Sequence, residues 1–118
     1  MKINIASNEV IHFIGIGGIG MSGLAQIMTN MGFHVQGSDL NSNKNTDRLV
    51  QAGIKIYIGH NQKNINRATM IVISSAIKKN NQELIASRSK KIPVIKRGDM
   101  LANIVALKKK YSYYRFTW

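Results

Sequence analysis

The stretch His12-Phe13-Ile14-Gly15-Ile16-Gly17-Gly18-Ile19-Gly20-Met21-Ser22-Gly23 constrains this chain more than any other. An apolar run from Val10 to Ile16, interrupted by one histidine, ends in a cluster of glycines and passes into an apolar helical pattern. That order predicts a strand, a tight turn and a helix start. Gly15, Gly17 and Gly20 match the spacing G-x-G-x-x-G. The first glycine permits a sharp turn off the strand. The second admits a ligand close to the backbone, and the third lets the helix pack close to the strand. A helix N-terminus at this point offers open N–H groups and partial positive charge, which suits a diphosphate. Gly17→Val is therefore expected to place a side chain where the diphosphate would lie.

The rest of the chain continues the alternation. A first helix is expected from Gly20 to Met31, closed by Gly32. Phe33–Asp39 reads as a second strand, and Asp47–Ala52 as a short helix capped by Asn45 or Thr46. Ile54–Ile58 and Thr69–Ser74 read as the third and fourth strands. Asn80 or Asn81 caps a helix reaching Ser89, Ile92–Ile95 is a short fifth strand, and Gly98 or Asp99 opens a last helix. Met1–Asn8 reads as a loose lead-in. This order argues for an α/β domain whose parallel sheet is covered on both faces. Ligands in such sheets bind beyond the carboxyl ends of the strands. Those ends hold Gly15–Gly20, Ser38-Asp39, Gly59-His60 and Ser74-Ser75-Ala76, where Gly, Ser, Asp and His concentrate. Asp39 follows Gly20 at the distance at which dinucleotide-binding proteins place a ribose-binding acid, so spacing alone suggests NAD, in an oxidoreductase or a nucleotide sensor.

Composition narrows the alternatives. At 118 residues the chain suits one domain, and no apolar run is long enough for a membrane span. Absence of cysteine excludes disulfides and thiolate chemistry and fits a cytoplasmic protein. A polar beginning carries no secretory signal. The net charge of +12 is lopsided: residues 1–60 carry +1 and residues 61–118 carry +11. Lysine outnumbers arginine twelve to five and asparagine occurs twelve times, a bias expected of AT-rich coding. Lys78-Lys79 and Lys90-Lys91 flank a helix instead of forming a stripe interleaved with aromatics, so nucleic acid is not the expected partner. Residues 109–118 break the pattern, with five of the eight aromatic residues in the last eight positions. They read as an off-pattern tail, either a sixth strand or an ill-ordered end.

The glycine loop has an extra glycine, Gly18, and is followed by Met21-Ser22-Gly23. With Gly37-Ser38-Asp39, Gly59-His60, Ser74-Ser75-Ala76 and Arg97-Gly98-Asp99-Met100-Leu101, it resembles the start of the Mur ligases of peptidoglycan synthesis, in the branch that adds L-alanine to UDP-N-acetylmuramate. The resemblance covers residues 9 to 108. A recycling branch, which attaches a preformed peptide to the same nucleotide sugar, is the nearest alternative. The resemblance implies a Rossmann-like three-layer domain with a mainly parallel five-stranded sheet, over residues 1–108, that holds the UDP part of UDP-N-acetylmuramate. Gly15, Gly17, Gly18, Ile19, Gly20, Met21 and Ser22 would supply N–H groups to the diphosphate, with a hydroxyl from Ser22. Ser38 and Asp39 would lie near the nucleoside, and His60, Ser74, Ser75 and Ala76 would line the cleft. His12, inside a strand, is expected in the core.

The full ligases of this family use ATP and Mg²⁺ to form an acyl phosphate that the amino acid attacks. Their phosphate loop, G-T-H-G-K-T, would follow near Lys108, where this chain reads Lys110-Tyr111-Ser112-Tyr113-Tyr114. No G-x-x-x-x-G-K-[ST] occurs in the sequence. The resemblance thus implies a substrate-holding domain without a cofactor of its own, lacking the ATPase and C-terminal domains and inactive in ligation alone. Its oligomeric state is left open.

Overall fold

The computed structural model describes residues 3–115, with side chains to residue 110. Five strands, β1 Val10–Ile14, β2 His34–Asp39, β3 Lys55–Ile58, β4 Met70–Ile73 and β5 Val94–Lys96, form one sheet in the order β3-β2-β1-β4-β5. Every pairing is parallel. Three helices connect them, α1 Ile19–Asn30, α2 Lys44–Gln51 and α3 Gln82–Ser89, with a 3₁₀ turn at Gln62–Ile65 between β3 and β4, and α4 Arg97–Arg115 follows β5. This is the α/β, three-layer arrangement expected, with the sheet parallel throughout.

Alternation along the strands assigns the layers. Ile11 and Phe13 of β1 and Met70 and Val72 of β4 join the larger core with Met21, Leu24 and Met28 of α1, Leu49 of α2, and Met100 and Ile104 of α4. Ile14 and Ile71 point the other way, into a smaller core with Ile65 and Leu84. On that second face the register aligns His12 with Gln36 and Ile14 with Ser38. The sheet is polar there, and Glu83 of α3 meets it.

Some boundaries differ from expectation, for physical reasons. The cap of α2 is Asn43, not Asn45 or Thr46. Its side chain accepts from the Thr46 N–H while Thr46 Oγ1 accepts from the Asn43 N–H, a reciprocal capping box. The last helix opens at Arg97, directly after β5. The lead-in is less loose than its polarity suggests. Ile3 and Ile5 pack against the larger core, and the Ile3 N–H donates to Asn103 Oδ1 at 2.8 Å. At the other end the backbone of residues 109–115 continues α4 and forms no sixth strand; residues 116–118 lie outside the described residues.

Candidate functional site

The chain leaves β1 for β2 on one side and reaches β4 on the other, so the connections after β1 and β4 diverge. They open a cleft of about 550 Å³ at the carboxyl ends of the strands. Its walls include Gly15, Gly17 and Gly18 from the loop after β1, Asp39 and Asn43 after β2, His60 after β3, and Ser74, Ala76 and Lys78 after β4. Seven of the residues expected at the site therefore meet around one space: Gly15, Gly17, Gly18, Asp39, His60, Ser74 and Ala76.

The others are placed differently. Ser38 is buried beneath the cleft, and Met21 is buried in the core. Ser22 is buried too; its N–H is bonded to Gly18 O at 2.8 Å and its hydroxyl to Ile19 O at 3.1 Å. Ile19 is exposed, Gly20 faces Arg97, and Ser75 is exposed outside the cleft lining.

The glycine loop holds its shape through its own hydrogen bonds, and this corrects the expectation that its amides all serve a ligand. Gly15 N–H and Ile16 N–H donate to Ser38 O at 2.8 and 2.9 Å, and Gly18 N–H donates to Gly15 O. Gly17 N–H donates to Asp39 Oδ2 at 2.7 Å, while Gly17 O accepts from Asn43 Nδ2 and Asn45 Nδ2. Open N–H groups remain at Ile19, Gly20 and Met21, ahead of the first bond of α1. No side chain caps this end, and its first turn carries no acid.

The glycines also divide their roles differently from the spacing rule. Gly15 has φ +82°, so the sharp turn is real. A Cβ on Gly17 would stand 2.8 Å from Asp39 Oδ2, 2.9 Å from Asn43 Nδ2 and 3.0 Å from Thr46 Cγ2. Gly17→Val would thus strike the protein itself, not only a ligand. Gly20 does not serve helix–strand packing: a Cβ there would meet the Arg97 side chain at 3.1 Å. The closest approach falls on Gly37, where a Cβ would lie 2.5 Å from Ile16 Cδ1 and 2.8 Å from Phe13 O. Gly18 is different again. A Cβ there would make only ordinary contacts, the nearest at 3.5 Å, so its bare surface is left to the cleft.

Two charged residues at this end were not singled out from sequence. Arg97 lies against Gly20 beside the open end of α1, and its guanidinium has no hydrogen bond or ion pair among the described residues. Its place in the block Arg97–Leu101 was the available signal. Glu83 is completely buried below His60. It is one of only two acids in the strongly basic second half of the chain, which was the signal it offered. Its Oε1 accepts from His12 Nε2 and Ser38 Oγ, both at 2.6 Å. Its Oε2 accepts from Asn64 Nδ2 at 2.9 Å, Asn61 N–H at 3.1 Å and His60 Nδ1 at 3.2 Å. Burial alone would push the carboxyl up. The hydrogen bonds from His12, Ser38 and Asn64 outweigh it and hold Glu83 at about 2, below its ordinary 4.5. His12 is in the core as expected. Gln36 Nε2 donates to both His12 Nδ1 and Asn64 O, which leaves the His12 proton on Nε2, facing Glu83.

Among the described residues no group of three or more His, Cys, Asp or Glu side chains could hold a metal ion, and no helix is long and apolar enough to cross a membrane. With no phosphate loop of the G-x-x-x-x-G-K-[ST] kind in the sequence, the residues present do not fit an ATP–Mg²⁺ site.

Comparison with known proteins agrees with this fold. The family described as "Mur ligase family, catalytic domain" matches residues 10–109. The UDP-N-acetylmuramate–L-alanine ligase of Pelagibacter ubique is 63% identical over 109 residues, covering 92% of this chain and 24% of that protein. The ligase of the same name from Rickettsia bellii is 54% identical over 100 residues, 85% of this chain and 21% of that protein. Among solved structures, the UDP-N-acetylmuramate–alanine ligase of Thermotoga maritima superposes with a TM-score of 0.80 at 30% identity, over 84% of this chain and 23% of that one. The UDP-N-acetylmuramate:L-alanyl-γ-D-glutamyl-meso-diaminopimelate ligase of Neisseria meningitidis gives 0.71 at 32% identity, over 75% of this chain and 28% of that one. The chain thus spans about a quarter of the length of the proteins it matches. With its family match running over most of its length, from the strand before the glycine loop into the last helix, the chain belongs to the Mur ligase family.

Proposed function

We propose that this chain binds UDP-N-acetylmuramate through its UDP moiety and is the substrate-holding module of the ligase that adds L-alanine to that nucleotide sugar. The observation that carries this reading is the open end of α1. Three unused N–H groups, an uncapped helix dipole and the unpaired Arg97 guanidinium converge beside a glycine-lined cleft. That combination favours a diphosphate. The names of relatives supply the sugar and the amino acid: three of them, at 63%, 54% and 50% identity, are L-alanine ligases. The diphosphate lies at the start of α1, and the nucleoside extends along Asp39 and His60. A cytoplasmic location goes with this reading, in keeping with a sequence without cysteine.

Against the NAD alternative stand the names of the relatives, which are UDP-N-acetylmuramate ligases. Asp39 accepts one N–H on each oxygen, from Gly17 and Leu40 at 2.7 and 2.8 Å, and keeps lone pairs for a sugar hydroxyl of either ligand, so a titration decides between them. Calorimetric titration of the 118-residue chain should show binding of UDP-N-acetylmuramate and UDP and none of NAD. Heat from NAD alone overturns the proposal.

A further inference from the structure

His60 is held from one side only. Its Nδ1 lies 3.2 Å from Glu83 Oε2 and 3.1 Å from Ser38 Oγ. The Ser38 hydroxyl proton is directed to Glu83 Oε1 at 2.6 Å, so both neighbours of Nδ1 present acceptors. Nδ1 must carry the proton. The second ring nitrogen, Nε2, has no partner among the described residues. No buried side-chain nitrogen or oxygen there lacks a partner, so Nε2 is open, on a ring that lines the cleft with 13% of its side chain exposed.

We propose that Glu83 is a positioning residue of the cleft: it locks His60 as the Nδ1–H tautomer, so that Nε2 stands in the cleft as a hydrogen-bond acceptor for a hydroxyl or N–H donor on the ligand's nucleoside. The inference rests on reading the cleft as the UDP site. Five donors on two carboxylate oxygens leave Glu83 no freedom to turn. They come from β1, β2, the turn after β3 and the 3₁₀ segment, so the carboxylate ties together the strand ends that shape the cleft. An acceptor at this point selects for a donor-bearing group, because a ligand without one would leave a desolvated ring nitrogen unpaired.

The charged and titratable groups around His60 are few. Glu83 of α3 lies against it, with neutral His12 of β1 on the far side of that carboxylate. Asp39 and Lys78 share the cleft. Tyr57 and Lys63 line the shallow hollow on its other flank.

The test uses the whole 118-residue chain. Long-range proton–nitrogen NMR at pH 8, without ligand, should show His60 protonated at Nδ1 and bare at Nε2. Glu83→Gln should populate the other tautomer and weaken UDP at least fivefold by calorimetry. His60→Phe, at a partly exposed position, should retain the fold and weaken UDP to a similar degree, which covers the case in which Glu83→Gln fails to fold. A wild-type ring protonated at Nε2, or UDP affinity unchanged in His60→Phe, would each overturn the proposal. If the Nδ1–H tautomer is found but neither UDP nor UDP-N-acetylmuramate binds, the reading of the cleft fails while the hold of Glu83 on His60 stands.

Discussion

Glu83 shows how much one side chain can carry in a small domain. A carboxylate completely removed from water is tolerable only when its lone pairs are filled, and here five donors fill them. The consequence is measurable in acid. Glu83 sits at about 2 in the folded chain against an ordinary 4.5, so the folded state binds its proton less readily than the unfolded state. Its stabilisation is complete above the unfolded value and is lost as pH falls from about 4.5 to about 2. Urea midpoints should therefore drop steeply across that interval in the wild type. In Glu83→Gln they should start lower and drop less. Equal slopes in the two proteins would remove Glu83 as the cause. None of this was legible in the sequence. A lone glutamate near a helix N-terminus has the pattern of a solvated first-turn acid. Only the register that sets His12 beside Gln36 and α3 above both reveals its partners.

At the scale of elements, the strand–loop–helix unit of β1 and α1 was legible because its signal is local: an apolar run, a glycine at positive φ and a helical period. The division of labour among the glycines was not, because it depends on neighbours distant in sequence. Gly17 is walled in by Asp39, Asn43 and Thr46, and Gly37 by Ile16 and Phe13, whereas Gly18 meets nothing closer than 3.5 Å. The cap of α2 was missed for a similar reason. Asn41, Asn43 and Asn45 are all competent caps. Contact with Gly17 O engages the side chains of both Asn43 and Asn45, and the capping box with Thr46 singles out Asn43. Two substitutions separate fold from ligand. Gly37→Ala should cost about 1–3 kcal/mol by forcing Ile16 out of place, read as a lowered melting temperature. Gly18→Ala, at φ −63° and ψ 153°, should shift stability by only about 0.5 kcal/mol and still weaken UDP-N-acetylmuramate at least tenfold, because its methyl enters the cleft. Full affinity in a folded Gly18→Ala chain would mean that the diphosphate lies elsewhere.

For the molecule as a whole, the parallel three-layer sheet followed from the alternation of strand and helix patterns, and the position of the cleft followed from the strand ends. What the chain can do with a bound substrate is a separate matter of charge and chemistry. The cleft end has hydrogen-bond donors and the cations Arg97 and Lys78, suited to holding an anion already made. Forming an amide from a carboxylate requires a leaving group on that carboxylate, which the ATP-dependent chemistry implied by the family resemblance would supply as phosphate. A group that cradles the transferring phosphates and neutralises their charge is then indispensable. The sequence has no glycine-rich loop ending in Lys-Ser or Lys-Thr, and the described residues gather no carboxylate cluster for Mg²⁺. The 118-residue chain should therefore bind UDP-N-acetylmuramate yet release no inorganic phosphate when given L-alanine, ATP and Mg²⁺. Phosphate release dependent on L-alanine, together with formation of the UDP-N-acetylmuramoyl-L-alanine amide, would show that this chain ligates alone, and would require a phosphate site built from residues outside those described.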